Sequence, residues 1–424
     1  MKVLLLSTSD LNGGAARAAY RLHRALRESG VDSHMLVFNK LSDDEHVVSA
    51  GYRVARAEKF LYNRIDDYVT RRFKTDPYVR FSLGYTSSQV LKEVDQINPD
   101  VINLHWINKG FVSIERLPQF NRPVVWTLHD MWAFTGGCHY DMGCGKFRRT
   151  CGSCPVLNST RDKDLSYWIY QRKKNAYPLI EDLTIVTPSH WLAQCARDSS
   201  LLGNREVRVI PNGLDTTSYQ PVAAQALRQR LAVAEGTPLV LFGSMGAEID
   251  QRKGYTLLMQ AVKVLVERQV DVEIAIFGSV HERENLFQGI RVHSLGKISD
   301  ERALAEVYSA AVVTVVPSRQ ENLGNVIMES LACGTPVVGF DIGGNPDMIT
   351  HRKNGYLATP LEPEDLANGI VWALEHNAHN ELEDTCQPMI RAFSSYPLAA
   401  ERYGRLFSEV VAHLSTNDNP GVAS

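Results

Sequence analysis

Short apolar runs alternate with amphipathic stretches along nearly the whole of this 424-residue chain. That alternation predicts βαβ units and parallel sheets. Residues 2–7, 33–38, 101–106, 124–129 and 184–188 read as one series of strands, and 238–243, 272–278, 312–317 and 336–340 as a second. Val, Ile and Leu fill these runs without alternating with polar residues, so both faces of each strand are expected to be covered. Between the series lies Val209-Ile-Pro-Asn-Gly-Leu-Asp215, whose Pro-Asn-Gly turn chemistry reads as a linker. A last amphipathic stretch, 398–411, reads as a helix that returns to the first half. No fixed-period repeat appears, and the only biased segment is a polar tail after residue 414.

Length and composition sharpen this into two α/β domains, because the chain exceeds one ordinary core. Hydrophobic residues make up 44% and charged residues 22%, the balance of a soluble globular protein. The apolar opening run is broken by Asp10 and Gly13-Gly14, so it reads as a buried first strand and not as a signal peptide. With no apolar stretch approaching the ~18 residues of a membrane span, a cytoplasmic protein is expected. Charge is unevenly spread. Residues 1–220 hold 29 Lys+Arg against 23 Asp+Glu, and the remainder 16 against 25. A basic first half points to an anionic partner such as phosphate or a lipid surface. Nucleic acid is the less favoured anionic partner. Residues 52–80, with eight Lys/Arg against four acids and Phe60, Tyr62, Ile65, Tyr68 and Phe73 among them, have the make-up of a basic amphipathic helix. Two readings stand for it: a helix packed on its domain, or peripheral contact with the inner face of a membrane.

The sharpest chemical signal is Pro317-Ser-Arg-Gln-Glu321-Asn-Leu-Gly324-Asn325-Val326-Ile-Met-Glu329-Ser-Leu-Ala-Cys-Gly334-Thr-Pro336. It starts at the carboxyl end of an expected strand, turns at a glycine and opens a helix. Ligands of open α/β sheets bind at such strand ends. The backbone N–H groups at Gly324, Asn325 and Val326, with the helix dipole behind them, suit a diphosphate. Carboxylates such as Glu321 and Glu329 accept hydrogen bonds from the hydroxyls of sugars. Arg252-Lys253-Gly254-Tyr255 adds two cations in a turn, the kind of fixed charge that stabilises a departing diphosphate. The loop Asp10-Leu-Asn-Gly13-Gly14-Ala-Ala-Arg17 lets the backbone approach a ligand closely, but it lacks the spacing of a dinucleotide fingerprint. His129-Asp130, just past a strand end, has the residue types of acid–base machinery.

The Glu-x7-Glu element with its flanks, and Leu295-Gly-Lys-Ile298-Ser-Asp300 running on through Leu304, Tyr308 and Ala311, resemble glycosyltransferase family 4 of the GT-B fold. The resemblance implies two Rossmann-like domains facing across a cleft. An acceptor domain would span 1–212, joined by a C-terminal helix 397–414, and a nucleotide-sugar donor domain 213–396. It further implies a retaining, metal-independent transferase that moves a hexose-type sugar from a UDP- or GDP-sugar. In that reading His129, Lys253 and Glu321 are the catalytic positions. The donor site comprises Gly13, Gly14, Arg252, Lys253, Ile298, Glu321, Leu323, Gly324, Asn325, Val326 and Glu329, with Asp130 toward the acceptor. His129 is expected to position the sugar and to stabilise charge. The family usually has an arginine directly after the strand preceding Lys253, where this chain has Ser244-Met245.

Four of the seven cysteines, Cys138, Cys144, Cys151 and Cys154, fall within seventeen residues. A structural zinc is one reading, although the Cys-x5-Cys pair is looser than usual. Four reduced thiols or one or two disulfides are the others. Together with Trp126-Thr-Leu-His129-Asp130-Met-Trp132, this cluster resembles the colanic-acid-type exopolysaccharide transferases within the family. It implies an oligosaccharide or polyprenyl-diphosphate-linked glycan as acceptor. An epimerase or phosphorylase on the same architecture, or a polysaccharide-binding assembly factor, are the alternatives.

Overall fold

In the computed structural model the described residues are 1–50, 68, 80–85, 90–243, 250–278, 289–378 and 380–417. The basic stretch 52–80, apart from Tyr68 and Arg80, and the Ser244-Met245 position lie outside them. The chain divides into two compact units, Met1–Gly213 with Tyr396–Ser424, and Leu214–Ser395.

The first unit is a seven-stranded, all-parallel sheet. It is built from β1 (Lys2–Ser9), β2 (Asp32–Asn39), β3 (Val47–Ser49), β4 (Val101–Leu104), β5 (Val124–Thr127), β6 (Leu183–Thr187) and β7 (Glu206–Val209), in the order β3-β2-β1-β4-β5-β6-β7. The apolar runs are continuous because each strand serves two cores. Val3 and Leu5 face one layer with Tyr403 and Phe407, while Leu4 and Leu6 face another with Phe111 and Trp126. The helix Tyr396–Asn417 packs beside the helix Gly14–Glu28 in the first of these layers. Val209, read as the start of a linker, is instead the last residue of β7, paired with Thr187.

The second unit is a six-stranded parallel sheet of β8 (Leu239–Gly243), β9 (Glu273–Phe277), β10 (Val292–Ser294), β11 (Val313–Val316), β12 (Val337–Phe340) and β13 (Gly355–Ala358), in the order β10-β9-β8-β11-β12-β13. Helices again cover both faces. Parallel strands buried on both sides need crossover helices, and the helical segments between them supply these.

In each unit the strand order reverses once, between β1 and β4 and between β8 and β11. Loops that leave neighbouring strands in opposite directions open a crevice at such points. The loops carrying Gly13, Lys253 and Glu321 follow β1, β8 and β11, strands that flank these reversals. Among the described residues no helix is long and apolar enough to cross a membrane.

Candidate functional site

In the second unit, β11 runs out into Pro317–Gly324 and then into the helix Asn325–Ala332. Gly324 is its N-cap and has no side chain with which to close the first turn. Gly324, Asn325 and Val326 are half-buried while Ile327 and Met328 are fully buried, so the helix start reaches the surface and its body stays in the core. Lys253 reaches this loop from the turn before the helix Tyr255–Glu267, and its Nζ lies 2.6 Å from Glu321 Oε2. Gly254 makes the approach feasible. Its φ is +71°, and a Cβ there would collide with the Pro317 carbonyl.

Glu321 is buried at 6% exposure. Burial alone raises a carboxyl pKa, but here the Lys253 and Arg252 charges, the Lys253 hydrogen bond and the Asn322 N–H outweigh it and hold Glu321 low, hence ionised. Arg252 Nη1 stands 3.6 Å from Glu321 Oε1. The same guanidinium donates to Asp250 Oδ2 (2.9 Å) and to the Gln320 carbonyl (3.2 Å), so it also ties its own turn to the Glu321 loop. Gly324 lies directly beside the Glu321 side chain. Glu329 is buried at 4% and accepts from Tyr308 Oη at 2.9 Å. Leu323 and Ile298 pack on the core beneath this helix. Arg252, Lys253, Glu321 and Gly324 are thus brought together, and Glu329 is held by Tyr308 on the helix that these loops cap.

In the first unit, Gly13 precedes and Gly14 begins the helix Gly14–Glu28 at the end of β1. Asp10 organises that loop. Its carboxylate accepts from the N–H groups of Leu11, Leu41 and Ser42, which tie the loop after β1 to the one after β2. Thr8 Oγ1 donates to the Asn108 carbonyl (2.8 Å) in the loop after β4.

His129 and Asp130 follow β5 and are half-buried. Each belongs to a separate polar chain. Asp130 Oδ2 is 2.6 Å from His139 Nδ1 and accepts from Trp106 Nε1 at 3.0 Å, while its Oδ1 accepts from the Trp132 N–H at 2.9 Å. Burial opposes its charge, but the His139 attraction and these hydrogen bonds prevail and keep the carboxyl below its usual range. His139 Nε2 in turn meets Ser82 Oγ at 2.9 Å. The order Ser82, His139, Asp130 has the connectivity of a nucleophilic triad. Ser82 is 4% exposed and His139 2%, so no substrate reaches the hydroxyl, and the chain acts as a brace for the loop carrying Asp130.

The second chain runs from Asn103 to His105 to His129, with His105 Nδ1 at 2.9 Å from His129 Nε2. Burial lowers the His129 pKa to about 4 against a weaker pull from Asp130. The sequence reading missed Asn103, His105, His139 and Ser82. The available signal was two polar residues, Asn103 and His105, at i, i+2 in an otherwise apolar strand run, which places them on one face.

The four cysteines share one neighbourhood. Cys138, Cys151 and Cys154 are buried and Cys144 half-buried, and all are free thiols. Burial pushes the Cys151 thiol up to about 12, although the Gly136 N–H donates to its sulfur at 3.1 Å. Among the described residues no group of three or more His, Cys, Asp or Glu is arranged to hold a metal ion. Side-chain hydrogen bonds brace the loop. Lys146 Nζ donates to the carbonyls of Gly152 and Ser153 (2.8 and 2.6 Å), and Asp164 accepts from the Cys154 N–H at 2.8 Å. Lys173, buried beneath it, donates to the carbonyls of Trp132 and Thr135 with Nζ 3.8 Å from the centre of a Trp132 ring.

Two parallel-sheet units, one carrying an anion-competent helix start beside a buried carboxylate–lysine pair, define a two-unit α/β fold with a candidate anion site. Residues 12–218 match the family model described as "Glycosyltransferase Family 4" and residues 237–376 the one described as "Glycosyl transferases group 1", and the chain belongs to these glycosyltransferases. Among its relatives, the putative colanic acid biosynthesis glycosyl transferase WcaC of Escherichia coli is 24% identical over 80% of this chain and 82% of that protein. The D-inositol 3-phosphate glycosyltransferase of Xylanimonas cellulosilytica is 31% identical, over 39% of this chain and 41% of that protein. The crystal structure of HepE from Anabaena in complex with UDP and glucose shares the fold, with a TM-score of 0.64 at 18% identity, covering 96% of this chain and 99% of that one. The architecture is GT-B.

Proposed function

We propose that this glycosyltransferase moves a hexose-type sugar, with retention of anomeric configuration and without a divalent metal, from a nucleotide diphosphate sugar onto a growing glycan. The observation that carries the reading is the Lys253–Glu321 pair at 2.6 Å beside the uncapped helix start at Gly324. A diphosphate seated on the N–H groups of Gly324, Asn325 and Val326 would draw Lys253 toward its oxygens. Glu321, its ion pair loosened, would then accept from hydroxyls of the sugar. A fixed ammonium supplies the charge that other transferases take from a bound metal. Glu329, oriented by Tyr308, is assigned to the ribose hydroxyls.

The first unit contributes His129 as a contact to the sugar and the Gly13–Gly14 helix start as a second anion-facing backbone. Asp130 is assigned to orienting the His129 loop, with contact to the acceptor as its further role. HepE was crystallised with UDP and glucose, and WcaC is named for colanic acid biosynthesis. The first favours a UDP-sugar donor and the second an exopolysaccharide acceptor; a polyprenyl-diphosphate carrier at a membrane surface is our expectation for that acceptor.

A panel of UDP- and GDP-sugars screened by thermal shift is the direct test. A donor raises Tm in the presence of EDTA, and NMR of the product formed from that donor reports the anomeric configuration. Absence of any shift across the panel, or a shift that requires a divalent cation, would overturn the corresponding part of the reading.

A further inference from the structure

Arg252 is fastened to both of the segments that meet at Glu321. Its N–H donates to Asp250 Oδ1 at 3.1 Å and its Nη2 to Asp250 Oδ2 at 2.9 Å, so one carboxylate holds the residue at both ends. Its carbonyl accepts from the Arg319 N–H at 2.7 Å, and its Nη1 donates to the Gln320 carbonyl at 3.2 Å. Lys253, the next residue, carries its ammonium on a flexible four-carbon stem and is the more exposed of the two. Four charges share this corner, Lys253 and Arg252 against Glu321 and Asp250, and they cancel. A diphosphate that draws Lys253 away leaves Glu321 with a charge that its burial penalises. Distance decides what takes over. Treated as a point charge, Arg252 at 3.6 Å offers roughly seven-tenths of the attraction that Lys253 offers at 2.6 Å, since the energy falls as 1/r. Ser318 Oγ, 3.4 Å from Glu321 Oε2, and the Asn322 N–H add donors but no charge.

We propose that Arg252 is a positioning residue that holds Glu321 in place, its charge compensated, while Lys253 leaves the pair to follow the donor diphosphate. Lys253 then serves the phosphates and Arg252 the carboxylate, so the two neighbouring cations are not interchangeable. The tethers explain the division. A guanidinium bonded to Asp250 and to the Gln320 carbonyl must break both bonds to turn toward a ligand, whereas the lysine turns about its stem. Kept as an anion, Glu321 remains an acceptor for sugar hydroxyls; protonated, it would present a donor in their place. The hand-over rests on the function proposed above, whereas the pairing of Arg252 with Glu321 does not.

The experiment follows the 13C signal of the Glu321 side-chain carboxyl in the full chain, identified by its loss in Glu321→Gln, through a pH titration with and without saturating UDP as the diphosphate probe. In the wild type Glu321 is expected to stay ionised at about pH 6 in both conditions. Arg252→Gln keeps an amide donor for the Gln320 carbonyl and removes the charge. There Glu321 is expected to stay ionised without UDP, paired with Lys253, and to be more than half protonated at about pH 6 with UDP bound, a shift within the range that desolvation gives a lone carboxylate. Arg252→Lys is expected to restore the ionised signal. If Arg252→Gln fails to fold, Lys253→Met removes the closer cation without any ligand, and Arg252 is expected to keep Glu321 ionised in it. Glu321 still ionised in UDP-bound Arg252→Gln, or protonated in Lys253→Met, overturns the proposal. Loss of UDP binding in Arg252→Gln with Glu321 unchanged also overturns it, by making Arg252 a ligand of the diphosphate. A wild type that binds neither UDP nor GDP overturns the proposed function and takes the hand-over with it.

Discussion

Lys253 and Glu321 stand 68 positions apart in sequence and 2.6 Å apart in space, joining the loops that follow β8 and β11. Arg252 backs the same carboxylate from 3.6 Å, so the loops are tied by two cations of unequal reach. Lys253 is the closer and the more accessible, with a quarter of its side chain exposed against 17% for Arg252. It is the one free to follow a ligand. Lys253→Met is expected to lower transfer by about 10²–10³-fold, the usual loss for one preorganised donor to a developing anion. Arg252 remains to accompany Glu321, so far-UV circular dichroism should be unchanged. Transfer within about threefold of wild type would remove Lys253 from the reaction.

Gly343 supports Glu321 from behind. Its φ is +55°, and a Cβ there would run into the Glu321 carbonyl, to which the Gly344 N–H donates at 3.1 Å. Gly343→Ala must therefore strain its own backbone and push the Glu321 loop outward. A loss on the order of 3 kcal/mol in urea unfolding is expected, together with loss of donor binding. Unaltered stability with intact transfer would show that the Glu321 loop tolerates displacement.

The strands that the pattern revealed and those it did not differ in one physical respect. Every interior strand was legible, because burial on both faces writes a continuous apolar run. The four unread strands, Val47–Ser49, Glu206–Val209, Val292–Ser294 and Gly355–Ala358, are the four sheet edges. They are three or four residues long; Glu206–Val209 and Val292–Ser294 carry exposed polar or charged positions and Val47–Ser49 an exposed valine, so they resemble loops. The candidate site divides in the same way. Lys253, Glu321, Gly324 and Glu329 fall in local motifs and could be read in order. The His105–His129 and Asp130–His139 contacts depend on which strands lie side by side, and no spacing in the chain encodes that.

Tyr308 Oη donates to Glu329 Oε2 with both residues buried, so the phenol is the fixed partner of the carboxylate assigned to ribose. Tyr308→Phe keeps the ring that fills the core and deletes only the donor. Roughly 1.5–3 kcal/mol of stability should be lost, the range for a hydrogen bond to a charged group. KM for the nucleotide sugar should rise with kcat changed less, since the carboxylate loses its orientation and not its charge. Steady-state kinetics beside chemical denaturation would separate the two effects. An unchanged KM would detach Glu329 from nucleotide binding.

Three imidazoles make the first unit sensitive to mild acid. Burial lowers the pKa of His129 and His23 to about 4, and that of His105 further below its usual value. The unfolded chain takes up protons on these rings near pH 6.5, whereas the folded chain refuses them until much lower pH. Between those limits the unfolded state binds more protons, so stability is complete above about pH 6.5 and is lost as pH falls toward 4. Asp130 and Glu321 have depressed pKa values and add their own loss only below the usual carboxylate range. His23 is the member to remove, because it lies away from the sites above, between Ser33 Oγ at 2.9 Å and Asp44 at 3.6 Å. Burial dominates its shift; Asp44 opposes it, and Arg27, His46 and His34 reinforce it. Tm measured by calorimetry is expected to fall steadily from pH 6.5 to pH 4 in the wild type and less steeply in His23→Gln. A Tm that stays level across that interval would mean that these rings are protonated in the folded chain, and with it the neutral His129 would have to be abandoned.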